Sequence, residues 1–235
     1  LSTRSLQAVL CLWTLASCAT GSGRPATREA GQAQRVVLVS LDGFRADYMA
    51  RPGAVRLREL ARRGVRAERL VPVFPSKTFP NHYTIVTGLR PEQHGIVANA
   101  MRDPMLGDFR TSDSLAQRDA RWWGGEPIWA TVERQGRRAA SVSWPGSEAP
   151  IGGRTQTWWS RYQHDLPRAE RVRRALGWLA LPGDSAPAMI TMYFSDLDDA
   201  GHRYGPASWQ VDSAIVKADS AVGALVDGIA RLGLS

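Results

Sequence analysis

Four features of this sequence have side chains and neighbours suited to chemistry. Asp42 closes the apolar run Arg35-VVLVSL and is followed by Gly43. In open α/β sheets ligands bind at the carboxyl ends of strands, and a carboxylate there can reach a cation, although an isolated Asp serves as readily in a turn or as a helix cap. Thr78 lies in the proline-rich segment Pro72-VFPSKTFPNHYTIVTGLRPEQHG, at or just before a helix expected to begin near Asn81. Unpaired N–H groups and the helix dipole favour anions at such a point, and a neighbouring metal would lower the hydroxyl pKa enough for attack on phosphorus; a plain N-cap threonine would look the same. Asp198 and His202 are four apart in Tyr193-FSDLDDAGHRYG-Pro206. On one helical turn that spacing puts an oxygen and a nitrogen donor on one face, which suits zinc. The flanking Gly201 and Gly205 suggest a tight loop instead of regular helix. Asn99, after the His94-Gly95 turn, can offer its amide to a developing oxyanion. Lys77 can steer a phosphate or simply be solvated, and His82 and His94 fit structural hydrogen bonding as well as function.

These residues need strands and helices to hold them. Arg35–Asp42 reads as a buried parallel strand, Ala54–Arg63 as a helix ended by Gly64, and Val65–Val73 as a second strand. Further along, Ile128–Gln135 reads as a helix, Arg138–Ser143 as a strand, Arg168–Leu179 as a helix, Ala188–Phe194 as a strand and Ser208–Leu232 as a long helix. Strand and helix alternate, so the expected class is α/β with a mainly parallel sheet. No internal repeat is visible.

Composition narrows the classes. The 235 residues are 43% hydrophobic and 22% charged, which suits a folded domain and argues against disorder. The longest apolar run is too short for a bilayer-spanning helix, which needs roughly 20 residues. The net charge of +8 comes from 30 basic residues, of which only Lys77 and Lys217 are lysine, scattered along the chain. A duplex-binding stripe would be clustered, so an anionic small substrate is the better expectation. Both cysteines, Cys11 and Cys18, lie near the start, so any metal in the body is held by oxygen or histidine donors. Residues 1–18 have the layout of an export signal: basic Arg4, the apolar AVLCLWTLA, then small residues. Leu15-Ala16-Ser17-Cys18 resembles a bacterial lipobox, which implies a lipid anchor on Cys18 and a periplasmic or outer-membrane location; a plain signal peptide is the alternative. Residues 19–34 read as a flexible tether, and 35–235 as the catalytic body.

In order along the chain, VVLVSLDGFRADYM, FPSKTFPNHYTIVTGLRPEQHGIVAN, GEPIWATVERQG, SWPGSEAPIGG and YFSDLDDAGHRYGP resemble the nucleotide pyrophosphatase/phosphodiesterase family, the type I phosphodiesterases of the alkaline phosphatase superfamily. The resemblance covers about Val36 to Pro206. It implies an alkaline-phosphatase-like α/β/α sandwich and two zinc ions, one bound by Asp42 and Thr78, the other by Asp198 and His202; such ligands also accept manganese. It implies that Thr78 attacks phosphorus to give a phosphothreonine intermediate, that Asn99 holds a phosphate oxygen, and that Phe79 and Tyr193 sandwich a nucleobase, with Tyr162 as a further pocket residue.

There are departures. Leu197 stands where the family commonly has proline, and Asp196 and Asp199 crowd Asp198. The family completes its metal sites with a later Asp-His pair and a further histidine, whereas no histidine follows His202. The chain is therefore expected to be the N-terminal part of a longer catalytic domain, with at most two protein ligands per zinc. The leading expectation is a zinc-dependent hydrolase of nucleotide phosphodiester or pyrophosphate bonds. The alternatives are a catalytically incomplete, surface-anchored phosphate- or nucleotide-binding module, or a phosphodiesterase acting on phospholipid head groups.

Overall fold

A computed structural model describes residues 34–234. The export-like segment with Cys11 and Cys18, and the tether before Gln34, lie outside the described residues. In chain order the elements are β1 (Val36–Leu41), α1 (Val55–Arg63), α2 (Thr78–Thr87), α3 (Pro91–His94), β2 (Ala100–Asp103), β3 (Gly107–Arg110), α4 (Ser114–Arg118) and α5 (Ile128–Arg134). They continue with β4 (Ala139–Val142), β5 (Trp158–Ser160), α6 (Arg168–Leu179), β6 (Met189–Phe194), α7 (Asp196–Tyr204) and α8 (Trp209–Arg231). No described helix is long and apolar enough to cross a membrane.

Four strands form one wholly parallel sheet in the order β1-β6-β4-β5, and β2 and β3 form a separate antiparallel hairpin. Side chains alternate between the faces of a strand, and that alternation sorts the residues into two layers. Val37, Val39 and Leu41 of β1, Ile190, Met192 and Phe194 of β6, and Ala140 and Val142 of β4 pack with Val172, Ala175 and Leu179 of α6 and Ala221 and Leu225 of α8. Leu38, Ala139 and Tyr193 pack on the other side with Tyr83 and Val86 of α2, Trp129 of α5 and the loop residues Trp123 and Trp144. The result is the alkaline-phosphatase-like α/β/α sandwich.

The α2 side of the sheet is partly polar. Thr191 Oγ1 donates to Ser141 Oγ at 2.9 Å, both fully buried, and Ser40 next to them is bonded to a histidine of α2. Helix α1 is capped from a distance. Its N-cap, Ala54, has no side-chain acceptor, and the buried carboxylate of Asp219, midway along α8, instead accepts the N–H groups of Leu57 at 2.8 Å and Arg56 at 3.0 Å.

Three expectations need correcting. Val65–Val73 forms no strand: Val65, Leu70 and Val71 are exposed, and Pro72 and the charged Arg66, Glu68 and Arg69 interrupt the run. An apolar run becomes a strand only where a ladder partner is available, and no described strand lies beside this one. Strand β1 is a half-buried edge strand with β6 as its one described neighbour, not a fully buried one. Finally, Asp198 and His202 sit inside regular helix α7; Gly201 is accommodated within it, and Gly205, at φ 85°, ends it.

Replacing Asp219 with Ala strands two N–H groups of α1 and is expected to lower stability by about 2 kcal/mol, read as a shift in the urea midpoint. Asp219→Asn, which keeps an acceptor, is expected to lose less.

Candidate active site

The site lies at the carboxyl ends of β1, β4 and β6. Thr78 is the first residue of α2, not its cap: Lys77 holds the N-cap position. The Thr78 hydroxyl makes no hydrogen bond within the described protein and is left for a ligand. The approach to it is braced by Asn81, whose Oδ1 accepts the Val73 N–H at 2.8 Å while its Nδ2 is shared among the carbonyls of Val73, Pro75 and Lys77. In the first turn Pro80 has no N–H, and the Phe79 N–H is taken by Asn99 Oδ1 at 3.0 Å. Two consequences follow. The Thr78 N–H is the first-turn donor that remains for an anion, and Nδ2 is the atom Asn99 has left to offer.

His82, one turn into α2 and 4% exposed, ties this helix start to the sheet. Its Nδ1 lies 2.7 Å from the Thr78 carbonyl and its Nε2 lies 2.8 Å from Ser40 Oγ. A carbonyl can only accept, so Nδ1 carries the proton and Nε2 accepts from the Ser40 hydroxyl. Burial pushes the imidazole pKa below its usual value, which keeps this single tautomer. His94 is equally structural: its Nδ1 accepts the Ile96 N–H at 3.2 Å and its Nε2 donates to Thr84 Oγ1 at 3.0 Å.

Asp42 follows β1 directly. Its Oδ1 accepts the Gly43 N–H at 3.0 Å and its Oδ2 accepts the Tyr193 hydroxyl at 2.8 Å. Burial and the Asp42 carboxylate raise the Tyr193 pKa far above that of a free phenol, so it stays a donor. The Tyr193 ring, 6% exposed, packs edge-on against His82 with centroids 4.9 Å apart. Asp198 approaches from α7. A Cβ placed on Gly43 would lie 2.7 Å from both the Asp198 Cα and its nitrogen, so glycine here, at φ 71°, lets the two chain segments touch. Burial, and next the Asp42 charge, raise the Asp198 pKa, while His202, with Nε2 3.3 Å from Asp198 Oδ1, opposes the shift.

The residues singled out from sequence therefore fall into two linked groups. Thr78, Phe79, Asn99, Tyr162 and Tyr193 line one cleft of about 170 Å3. Asp42, Asp198 and His202 form the second group, joined to the cleft through the Tyr193–Asp42 hydrogen bond. Among the described residues no three His, Cys, Asp or Glu side chains gather tightly enough to hold a metal ion. The two ligand pairs that the resemblance implies differ in the structure: His202 Nε2 lies 3.3 Å from Asp198 Oδ1, whereas Thr78 lines the cleft and Asp42 meets that cleft through Tyr193. The donor chemistry fits a divalent cation, because two carboxylates are crowded together with too little positive charge beside them.

Other cleft residues carried no individual signal. Trp144 and Glu148 belong to the SWPGSE stretch and line the cleft, as does Ser143, which at φ 62° is the one non-glycine residue with positive φ among the described residues. A serine in that conformation stores strain of a kind that concentrates at functional sites. The sequence reading made Ser143 the last residue of the strand, whereas β4 ends at Val142 and Ser143 turns away at a backbone angle the sequence does not announce.

Comparison with known proteins agrees with this geometry. A sequence profile of the type I phosphodiesterase / nucleotide pyrophosphatase family matches residues 36–235. The chain belongs to that family. It is 41% identical over 200 residues to human ectonucleotide pyrophosphatase/phosphodiesterase family member 1, a match covering 84% of this chain and 22% of that protein. It is 39% identical over 225 residues to venom phosphodiesterase 2 of Crotalus adamanteus, covering 94% of this chain and 28% of that protein. Among solved structures, an inactive threonine-to-alanine variant of murine ectonucleotide pyrophosphatase/phosphodiesterase 5 in complex with AMP superimposes with a TM-score of 0.80 at 33% identity, covering 86% of this chain and 54% of that one. The chain thus spans about a quarter of the length of these curated relatives and about half of that solved chain.

Gly43→Ala is expected to cost well over 2 kcal/mol, since about 1–2 kcal/mol of left-handed strain is joined by a backbone clash. Gly107→Ala, at φ 87° with nothing within 4 Å of the added Cβ, is expected to cost only the strain. Comparing the urea midpoints of the two variants separates the terms.

Proposed function

We propose that the protein of which this chain is part hydrolyses phosphodiester or pyrophosphate bonds of nucleotides through a phosphothreonine intermediate, with two zinc ions as cofactors. The observation that carries this reading is the Thr78 hydroxyl, unbonded at the start of α2 in a cleft whose Tyr193 is hydrogen-bonded to Asp42. The murine relative supports it, since that inactive variant lacks a threonine and holds AMP.

Thr78 Oγ attacks phosphorus, the bond from phosphorus to the departing oxygen breaks, and the threonine proton passes to solvent. Water then attacks the phosphothreonine, the phosphorus–Oγ bond breaks, and the monophosphate leaves with the hydroxyl restored. The Thr78 N–H and Asn99 Nδ2 donate to the phosphate oxygens, and Tyr193 holds Asp42 in place. Phe79, Tyr162 and Tyr193 give the cleft aromatic surface on which a flat nucleobase can pack. Asp42 with Thr78, and Asp198 with His202, would hold the ions. When bound, the ions supply charge neutralisation on the attacking and departing oxygens. Nucleotide binding without turnover is the second reading, and the incomplete ligand pairs are the observation that favours it.

With zinc present, a chromogenic phosphodiester is expected to be cleaved in preference to the matching monoester, and Thr78→Ala is expected to lower that rate by at least about 1,000-fold. Full activity in the variant would refute the nucleophile assignment; AMP binding with no turnover in the unmodified protein would establish the second reading. Asp198→Asn removes one of two crowded carboxylates. It is expected to raise the melting temperature measured with a chelator and to abolish the rise that added zinc gives the unmodified protein.

A further inference from the structure

The Tyr162 ring lines the cleft and is 37% exposed, an unusual degree of freedom for a wall that must hold a flat ligand. Its hydroxyl is nevertheless held by side chains from two directions. Oη lies 3.3 Å from Ser195 Oγ, at the junction of β6 and α7, and 3.2 Å from His164 Nδ1, on its own loop. Ser195 in turn donates to Asp199 Oδ2 at 3.0 Å.

The direction of this chain is fixed by its end. A carboxylate only accepts, so the Ser195 proton is committed to Asp199, and Ser195 Oγ must accept the Tyr162 proton. The tyrosine oxygen is then free to accept from His164 Nδ1. Three donors point one way, from His164 through Tyr162 and Ser195 to Asp199. The loop beneath is fixed independently by the buried guanidinium of Arg171, which donates to the carbonyls of Gln163, His164, Leu166 and Tyr193. With the backbone anchored there, the hydroxyl contacts decide the tilt of the exposed ring.

We propose that Ser195 and Asp199 are positioning residues for a nucleobase: through the Tyr162 hydroxyl they fix the ring on which the base packs, and so set the preference for base-bearing over base-free phosphates. This rests on the nucleotide reading above and names a determinant of its specificity. Asp199 also lies on α7 beside Asp198, so the ring that receives the base is tied to the helix that carries Asp198 and His202.

The test measures binding of AMP and of ribose 5-phosphate, which lacks the base, to the Thr78→Ala protein by calorimetry. Tyr162→Phe and Ser195→Ala, each added to that background, are expected to weaken AMP binding about three- to tenfold, the range of a single neutral hydrogen bond. Ribose 5-phosphate binding is expected to change less than twofold. The double variant Tyr162→Phe/Ser195→Ala should be no weaker than either single one, because both remove the same contact, and Ser195→Thr should retain AMP binding. Equal losses for both ligands, additive losses in the double variant, or unchanged AMP binding would each overturn the proposal. Unchanged AMP binding in the variants would leave the nucleotide reading intact, whereas failure of the starting protein to bind either ligand would remove both.

Discussion

The site depends on one histidine that bonds in two directions. His82 donates from Nδ1 to the Thr78 carbonyl and accepts at Nε2 from Ser40, so the first turn of α2 is fixed to β1 two residues before Asp42. Its ring also packs perpendicular to that of Tyr193, whose hydroxyl reaches Asp42, and its own carbonyl accepts from Trp144 Nε1 at 3.2 Å. Thr78, Asp42 and the cleft wall thus share one buried reference point. Burial keeps that imidazole neutral, and neutrality keeps its two bonds distinct.

The sheet is prepared for this by an uneven division of polarity. Toward α6 and α8 its strands β1, β4 and β6 present apolar side chains, and the packing there is nonspecific in chemistry. Toward α2 it presents Ser40, Ser141 and Thr191 among larger groups, each hydrogen-bonded so that its burial carries little penalty. Polar contacts are directional where apolar ones are not, so the face that must hold a helix start in a defined register is the face that carries them.

Much of this was legible in the sequence, for identifiable reasons. Strands β1, β4 and β6 and helices α1, α5, α6 and α8 have continuous or periodic apolar patterns long enough to announce themselves. Helix α7 was misread because Gly201 and Gly205 look like loop punctuation, although neighbours supply what Gly201 loses in propensity. Val65–Val73 was misread because composition says nothing about whether a ladder partner is present. For the site, residue types and spacing singled out Thr78, Asp42, Asp198 and His202 as candidates, each with a plain structural alternative, and only the family resemblance implied their roles. The supporting residues Asn81, Tyr193 as a donor to Asp42, Ser195 and Arg171 were not legible in their roles, because each acts through a partner distant in the chain or through backbone carbonyls. Ser143 shows the same limit, since its role lies in a dihedral angle.

The pairing of β1 with β6 also sets an order of events during folding. Val36 lies opposite Met189, and the Tyr193–Asp42 hydrogen bond joins residues 151 apart. The His82–Ser40 bond joins residues only 42 apart. On a growing polypeptide Ser40 and His82 are made close together, but β1 gains its one described ladder partner, and Asp42 its tyrosine and its neighbour Asp198, only after β6 and α7 emerge. Contacts of such long range are slow to form. Both halves of the site therefore mature late, and the crowding of the two carboxylates is deferred until the surrounding structure is in place to bear it.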